Sequence, residues 1–460
     1  MIFTSLSFIF LLLPLFLALD ISARSAKSGT LRNAAMLFVS LVFYTWGEAA
    51  NVFLLLALGV GNYVAATHLN RSKNPRACMA LFVAANLAVL IGFKYAHWLL
   101  SFILPALDGK KASMPLGISF FTFHAISYLA DVYRRHIQPA KTPLDFLTYF
   151  CMFPHLVAGP IVRYAQVQDD LSARGPDKAL FSFGLYRFLV GLNKKVIIAN
   201  SVAVMADSAF SMSGPGNLHF FDAWLGIAAY AIQIYFDFSG YSDMAIGLAA
   251  MAGFHFEENF RRPYSSTSIR EFWRRWHISL SSWLRDYLYI PLGGSKKGRQ
   301  ATYINLLIVF FLCGLWHGAN VTFIVWGLWH GLFLVIERLP VGHLLGKMPT
   351  LLARAYTLVV VLVGWVFFRA ENIGAAWTYL KELFAFSLSP VTLTYHTAAC
   401  VALAVGGALC LLPDKFLPDP TSHKASAFPA SAYWLQALLA VISIALLLTG
   451  ARNPFIYFDF

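Results

Sequence analysis

Charged residues are scarce in this sequence of 460 residues: Lys, Arg, Asp and Glu together make up 12%, where a soluble domain carries about 25%. Hydrophobic residues reach 58%, and the mean hydropathy is +0.63. This balance excludes a large soluble enzyme. A disordered chain is also excluded, because 41 Phe, 20 Tyr and 12 Trp have to be buried. The composition predicts a polytopic membrane protein built as one large helical bundle.

Cysteine is also rare, with five residues and no CxxC pair, which argues against a disulfide framework and against a zinc site. The sequence contains no GxSxG, HExxH or Walker-type motif. Any chemistry therefore has to rest on a histidine or a carboxylate at membrane depth. Ionisable groups are costly there, so each of them is a candidate for function.

The basic residues exceed the acidic ones by 35 to 22, a formal net charge of +13. They lie mainly in short stretches between apolar runs, as the positive-inside rule produces, so the excess requires no nucleic acid partner. The apolar runs predict about eleven to thirteen membrane crossings. The first run, residues 2–19, is followed by Arg24 and Lys27, which predicts an uncleaved first span with a cytoplasmic C-terminal end.

Residues 256–300 differ from the rest because arginines, lysines and aromatic residues alternate there. The pattern predicts an amphipathic helix at the membrane surface or just below it. Ser268 is the expected N-cap with Glu271 three residues on, and Pro291 and the glycines after it are expected to end the helix. An interfacial anchor with snorkelling arginines fits the same pattern.

Three histidines are candidates for chemistry. His317 and His330 each lie in a Leu-Trp-His-Gly sequence between apolar runs. Their spacing of 330 − 317 = 13 residues corresponds to about 220° on an unbroken helix, so they bind no common metal unless the helix breaks. Each is either a general base in apolar surroundings or a hydrogen-bonded structural residue. His277 lies in the amphipathic segment, where an interfacial role is the alternative.

Two further features are polar residues or helix breakers in apolar surroundings. Asp237 and Asp243 are six residues apart and do not share a helix face. They are expected either to orient a base, relay protons or coordinate an ion, or to form an ion pair with an arginine. Residues 115–124 and 153–160 combine Pro, Gly and His, which is typical of broken or re-entrant helices that line a cavity, or of simple kinks.

Taken together, the blocks at residues 258–260, 270–280, 283–294 and 314–320 resemble the membrane-bound O-acyltransferase (MBOAT) family, and within it the bacterial alginate O-acetyltransferase branch. The blocks read Glu-Asn-Phe, Arg-Glu-Phe-Trp-Arg-Arg-Trp-His-Ile-Ser-Leu, Trp-Leu-Arg-Asp-Tyr-Leu-Tyr-Ile-Pro-Leu-Gly-Gly and Gly-Leu-Trp-His-Gly-Ala-Asn. The resemblance covers roughly residues 1–370.

For the fold, the resemblance implies an all-α polytopic membrane protein, a ring-like helical bundle with re-entrant or interfacial helices around a central tunnel. It implies one integral membrane domain over residues 1–460, with a catalytic core at about 110–340 and peripheral C-terminal helices at about 396–460.

For the site, His317 matches the invariant histidine of the family and His277 its second important histidine, so both are expected to be catalytic. His330 is then a packing residue beside the site, and no metal is expected. The residues expected to contact the acyl donor or line the tunnel are Trp276, Arg274, Arg275, Trp316, Asn320 and Asp243. The sequence departs from the branch at His124, where Gln is common, and at Arg261 and Arg262.

For function, the resemblance implies an O-acetyltransferase of the bacterial inner membrane that moves an acetyl group to an extracytoplasmic, alginate-like polysaccharide. The expected donor is acetyl-CoA or an acylated carrier, used as a substrate, with no bound cofactor. His317 either deprotonates the acceptor hydroxyl or carries the acyl group. A separate periplasmic acetyltransferase is an expected partner. The alternatives are peptidoglycan, teichoic acid (D-alanyl) or lipid as acceptor, and a transporter with a proton relay.

Overall fold

The computed structural model describes residues 2–26, 28–101, 103, 114–175, 177–212, 218–386, 395–412, 429–450, 453 and 455–456. Within these ranges the chain forms helices and loops and no β-strand, which confirms the all-helical class. The chain divides into two compact units. The first takes its described residues from 1–192, 241–258 and 420–451, and the second from 193–240, 259–419 and 452–460.

The first unit contains the helices of the N-terminal part of the chain, preceded by a π-helical turn at Phe8–Leu12. They are α1 (Leu13–Ser25), α2 (Gly29–Glu48), α3 (Asn51–Arg71), α4 (Pro75–Lys94), α5 (Ala96–Ser101), α6 (Ile118–Tyr133), α7 (Pro143–Cys151), α8 (Phe153–Leu156), α9 (Tyr164–Ala173) and α10 (Lys178–Asn193).

The following helices belong mainly to the second unit, while the long α12 contributes to both and the last helix belongs to the first. They are α11 (Asn200–Ser211), α12 (Phe220–Met251), α13 (Ile269–Arg275), α14 (Ile278–Leu284), α15 (Arg299–His317), α16 (Val321–Ile336), α17 (Gly342–Leu345), α18 (Thr350–Arg369), α19 (Ile373–Phe384), α20 (Thr397–Leu411) and α21 (Ala430–Leu448). Short π-helical or 3₁₀ segments occur at Lys194–Ala199, Pro263–Ser265 and Arg285–Tyr289.

Several helices begin where the sequence supplies a side-chain cap. Asn74, Thr142, Ser268 and Asn372 each accept a hydrogen bond from a backbone N–H in the first turn of the helix that follows. Pro follows the first two caps, at a position where its missing N–H costs nothing. These caps fix the start of the helices in sequence and satisfy N–H groups that have no acceptor within the helix.

Seven helices within the described ranges are long and apolar enough to cross a membrane. They are Phe8–Ser25, Asn51–Arg71, Pro75–Lys94, Lys178–Ser211, Arg299–His317, Thr350–Arg369 and Ala430–Leu448. The shorter apolar helices Val321–Ile336 and Thr397–Leu411 add to them. The protein is therefore a multi-pass membrane protein. The sequence predicts a larger number, about eleven to thirteen, partly because the apolar run at 143–162 folds as the short helices α7 and α8 and a loop.

That loop resolves the alternatives for residues 153–160 in favour of a broken helix. Helix α8 has four residues, and residues 157–162 continue buried and without helix. Gly117, at the start of α6, has φ of 78°, and a Cβ there would lie 2.5 Å from the carbonyl oxygen of Leu156. Irregular backbone at membrane depth is tolerated where protein covers it. The break brings the fully buried rings of His124 and His155 to 4.3 Å between centroids.

Two buried arginines of the first unit, Arg187 and Arg32, are held in ion pairs. The guanidinium of Arg187 donates to the carboxylates of Asp243 and Glu258, and all three side chains are buried. Arg32 donates to Asp20 at 3.1 Å and to the carbonyl oxygen of Ala252 at 2.7 Å. Pairing of this kind is what makes a buried charge tolerable. Asp243, predicted as a tunnel residue, therefore takes the ion-pair alternative and lies in the first unit.

Asp237 forms an ion pair as well, with a lysine where an arginine was expected. The ammonium of Lys195 lies 2.6 Å from one carboxylate oxygen, and the backbone N–H of Ile456 donates to the other at 2.9 Å. All of these contacts lie in the second unit. Lys195 belongs to the π-helical segment, whose wider turn changes the direction of the side chains relative to an α-helix.

Candidate active site

The segment at residues 256–300 is not the single helix that its pattern predicts. Helix α13 begins at the predicted cap, where the Ser268 hydroxyl accepts the Glu271 N–H at 3.1 Å, but it ends at Arg275. His277 has φ of 43°, a left-handed conformation that costs energy for a residue with a side chain, and α14 begins at Ile278. The prediction of one amphipathic helix was wrong because of this break.

Asn259 accounts for the break. Its backbone carbonyl accepts the Ile278 N–H at 2.9 Å, and its side-chain oxygen accepts the Ser279 N–H at 3.2 Å and the Ser279 hydroxyl at 2.9 Å. The N–H groups that would continue α13 therefore bind a residue about 20 positions earlier. The same side-chain oxygen lies 3.1 Å from Nδ1 of His277.

These bonds determine the form of His277. Because a backbone N–H donates to the side-chain oxygen of Asn259, that atom is an acceptor, so Nδ1 of His277 carries the hydrogen and Nε2 the lone pair. The ring is completely buried, and burial lowers the pKa of His277 from its ordinary 6.5 to about 3. His277 is therefore a neutral imidazole whose Nε2 accepts, and does not donate, a hydrogen bond.

His317 is the last residue of α15, and its side chain is 5% exposed. The helix ends there because Gly318 is extended and Asn320 caps α16, its side-chain oxygen accepting the Thr322 N–H at 3.1 Å. The side-chain amide of Asn320 also donates to the carbonyl oxygen of Glu371 at 2.8 Å. Asn320, expected to contact the acyl donor or line the tunnel, thus holds the turn that follows His317.

The break at 318–320 reverses the chain, so the geometry of an unbroken helix does not apply to His317 and His330. Helix α16 packs back along α15, and Gly314 and Gly327 make the close contact possible, since a Cβ on either would overlap a carbonyl of the other helix. The rings of His317 and His330 both contact Trp326, at 4.9 and 5.3 Å between centroids. The described residues contain no cluster of His, Cys, Asp or Glu able to hold a metal.

Trp316 brings the two predicted catalytic histidines into one cluster. Its ring lies 4.9 Å from the ring of His317 and 6.2 Å from that of His277. Phe368 packs edge-on to His317 at 5.1 Å, and Phe238 edge-on to His277 at 4.7 Å. His277, Trp316 and His317 thus form a buried site with two imidazoles, walled by aromatic rings.

Trp276 and His330 belong to the aromatic packing beside this cluster. Trp276 is 3% exposed and contacts Trp365 at 4.9 Å. His330 is completely buried against Phe272 and Trp273, at 6.1 and 5.3 Å, and its two ring nitrogens have no hydrogen-bond partner among the described residues. The contacts agree with a packing role for His330.

The two predicted donor-binding arginines differ. Arg274 is exposed. Arg275 is half-buried, pairs with Glu271 at 2.7 Å and donates to the Ser265 hydroxyl at 3.3 Å. Partial burial acts to raise the pKa of Glu271, but the hydrogen bonds that Thr267 donates and the ion pair with Arg275 outweigh it. The pKa of Glu271 is therefore lowered. Arg275 therefore stabilises the start of α13, and only Arg274 of the pair is presented to solvent.

Helix α13 leads from one end of the second unit to the histidines. The backbone N–H groups of Ile269 and Arg270 donate to the Glu337 carboxylate at 2.5 and 3.0 Å, at the end where α15 begins and α16 ends. The chain then continues through α13 to His277. The ring of His277 contacts that of Trp316, which lies near the opposite end of α15. The exposed basic residues at the Glu337 end are Arg270, Arg274, Lys296, Lys297, Arg299, Arg338 and Lys347.

Sequence reasoning assigned no role to Asn259, Glu337, Trp326 or Phe368. Asn259 lies in a block quoted for the resemblance, and its position directly before the aromatic segment is the one signal that it offers. Glu337 is an isolated acid at the end of an apolar run, which is a weak signal for a partner in another helix. Trp326 and Phe368 look like ordinary core residues, and only the fold reveals their contacts with His317.

Comparison with known proteins gives concordant matches. The model of MBOAT, the membrane-bound O-acyltransferase family, matches residues 76–368, more than half of the chain. A probable alginate O-acetylase of Pseudomonas putida is 40% identical over 492 residues, covering 100% of both chains. That of Pseudomonas aeruginosa is 43% identical over 398 residues, 84% of this chain and 75% of the relative. A peptidoglycan O-acetyltransferase of Helicobacter pylori is 35% identical over 422 residues, 83% and 80% respectively.

Proposed function

The chain belongs to the membrane-bound O-acyltransferase family, and from this membership we propose that it transfers acetyl groups to hydroxyl groups of an extracytoplasmic, alginate-like polysaccharide. The relatives named as alginate O-acetylases support the acceptor, since one of them aligns with the entire chain. The observation that carries the proposal is the contact of both His317 and His277 with Trp316. It unites the two histidines of separate sequence motifs in one buried site.

In this site His317 is the general base. Its imidazole takes the proton of the acceptor hydroxyl while the hydroxyl oxygen bonds to the acetyl carbonyl carbon. The bond from that carbon to the leaving group of the donor then breaks, and the imidazolium returns the proton to the leaving group. Such proton transfer contributes about 10²–10⁴-fold to a rate. An acetyl-imidazole on the same residue is the alternative route. The lone pair of His277 Nε2 accepts a hydrogen bond from the donor or acceptor and orients it.

The distribution of charge supports an orientation in the bacterial inner membrane. The exposed basic residues at the Glu337 end of the second unit face the cytoplasm by the positive-inside rule. His317 then lies toward the extracytoplasmic end of α15. A tunnel that joins the two ends, as in the family, brings the acetyl group from one side to the other without opening the bilayer.

The same basic end is where the donor binds. Arg274, Lys296 and Lys297 are exposed there and attract an anionic donor, such as the phosphates of acetyl-CoA or the acidic surface of an acylated carrier protein. The donor is a substrate and leaves after transfer. A separate periplasmic acetyltransferase is the proposed partner at the extracytoplasmic end, because this chain has no serine-hydrolase motif of its own.

The acceptor is tested by deleting the gene and measuring ester-linked acetate on each cell-envelope polymer by mass spectrometry. We expect acetate to disappear from the exported polysaccharide, to remain on peptidoglycan, and to return with the parent gene. Loss from peptidoglycan alone would instead identify that polymer as the acceptor and contradict the proposal. Unchanged acetate on every polymer would contradict any role in O-acetylation.

A further inference from the structure

The second unit contains an apolar groove that the proposed reaction does not use. It has a volume of about 530 Å³, is lined by carbon atoms and lies between α16, α18 and α19. Its wall residues include Trp329, Phe333, Val360, Val363, Phe367 and Leu380. The indole N–H of Trp329 donates a hydrogen bond to the carbonyl oxygen of Val360 at 2.8 Å. The one polar group of this large wall residue is therefore satisfied, and the groove meets its hydrocarbon surface.

The groove is preformed, because α19 is fixed to the rest of the unit by hydrogen bonds on its buried side. The Tyr379 hydroxyl donates to the carbonyl oxygen of Ala223 at 2.8 Å. The Trp224 indole N–H donates to the carbonyl oxygen of Leu383 at 2.9 Å. A preformed apolar cavity of this volume falls within the range of about 300–1,000 Å³ typical of ligand sites.

The length of the groove matches one leaflet of a membrane. Its wall on α18 begins at Val359, in the middle of the apolar helix Thr350–Arg369, and continues to Phe367 near the end. The eight steps from Val359 to Phe367 rise about 12 Å. Half of a hydrocarbon core that is about 30 Å thick is about 15 Å, so the groove covers most of one leaflet. The groove therefore follows the helix from the bilayer midplane to one interface.

Lys381 is the one charged residue in the lining of the groove, and it lies on α19, the helix that follows the end of α18. Lys381 is exposed, and its ammonium lies 5.9 Å from the ring centre of Trp377. Trp377 and Phe384 are each 60% exposed on the outer face of α19. Aromatic rings and a snorkelling lysine are typical of the level of the lipid headgroups. A hydrocarbon groove with one exposed cation at its wall is complementary to an acyl chain attached to an anionic headgroup.

We propose that this groove binds a glycerophospholipid of the leaflet that meets α19, with one acyl chain along α18 and the phosphate on Lys381. The bound acyl chain also stabilises the packing around the histidine cluster. Trp329 and Phe367 face the groove, while their chain neighbours His330 and Phe368 belong to the aromatic packing around the histidine cluster. A chain in the groove thus braces the two helices that hold these rings.

The test measures phospholipid retained by the full chain after purification in a mild detergent, by native mass spectrometry and by phosphate analysis of an organic extract. The parent is expected to retain about one phospholipid per chain. Lys381→Ala should lower retention about tenfold, the loss of one charge-assisted contact. Val363→Trp should abolish it by filling the groove. The control Lys347→Ala, at an exposed lysine outside the groove, should retain as much as the parent.

The proposal is wrong if the parent retains no phospholipid, or if Lys381→Ala retains as much as Lys347→Ala. Lys381 is exposed, so its substitution decides the question even if Val363→Trp fails to fold, which size-exclusion chromatography would show. A retained molecule without a phosphate group, such as a peptide, would also contradict the proposal. Because the readout is bound lipid, the result is independent of whether acetyl transfer proceeds as proposed.

Discussion

Two buried clusters, one in each unit, hold their polar groups in different ways. In the first unit, Arg187 is enclosed by the carboxylates of Asp243 and Glu258, so that every charge has an opposite charge in contact. In the second unit, His277 and His317 are enclosed by aromatic rings. The paired charges cannot move without a large electrostatic cost, which suits a structural role. A neutral imidazole among rings keeps a lone pair, which suits chemistry that moves a proton.

The largest effect that separates the two regions is expected for His317→Ala. Removing the base should lower acetate on the exported polysaccharide by about 10²–10⁴-fold, with membrane abundance unchanged. His330→Ala is the matched control, because it removes an equally buried histidine from the same hairpin. We expect it to cost stability through a cavity and activity by less than about tenfold. Equal losses of acetate in both variants, at equal abundance, would deny His317 a special role.

In the first unit, Arg187→Met should act on stability and hardly on chemistry. It leaves two buried carboxylates without a counter-charge, which costs about 3–5 kcal/mol. Thermal unfolding in detergent and abundance in the membrane measure this loss. The control is Arg275→Met, whose partner Glu271 is 31% exposed and whose loss should cost at most about 1 kcal/mol. Similar unfolding temperatures for the two variants would show that the buried network is not structural.

Asn259→Ala tests the tautomer of His277. The variant removes the acceptor of the Nδ1 hydrogen, so acetyl transfer should fall by about tenfold, for one lost hydrogen bond of about 1–3 kcal/mol. Asn259→Asp keeps the acceptor but adds a negative charge, which raises the pKa of His277 from its value of about 3. We expect Asn259→Asp to keep activity at neutral pH and to lose it at a higher acidic pH than the parent. A pH profile of acetyl transfer that is the same in Asn259→Asp and the parent would contradict the hydrogen bond between Asn259 and His277.

The smallest effect concerns Glu337, which caps α13. Burial raises the pKa of this carboxyl above 4.5, although two backbone N–H groups donate to it. Its contribution to stability is therefore present below the ordinary glutamate pKa and is lost as the pH rises through the raised value. Glu337→Gln should abolish this pH dependence, which thermal unfolding at a series of pH values from about 4 to 8 would reveal. The same slope in parent and variant would show that Glu337 is not responsible.

Much of this contrast could be predicted from the sequence. The scarcity of charge indicated helices in a membrane, and Ser268 marked the start of α13 correctly. The motifs predict His277 and His317 as candidates, and the structure places both rings against Trp316. The ion pair of Asp243 is one of the two alternatives that the sequence leaves open. These features depend on composition or on residues close in the chain, where local hydrogen bonding and helical period determine the outcome.

The rest depends on residues far apart in the chain. The break at His277 comes from Asn259, about 20 residues earlier, and no local signal in the helical pattern reveals it. Lys195 as the partner of Asp237 depends on the packing of two helices. The cluster around Trp316 requires both the break at His277 and the reversal after His317. Tertiary hydrogen bonds override local helix propensity at these positions.

The central claim is that His277 and His317 act as one site around Trp316, and a double-substitution cycle tests it most directly. Acetyl transfer from a labelled donor is measured in membrane vesicles for His317→Ala, His277→Ala and the double variant at equal abundance. We expect the double variant to be about as active as the less active single variant, because the effects of residues in one catalytic unit are not additive. A double variant in which the two losses multiply would show that the histidines act independently and contradict the account.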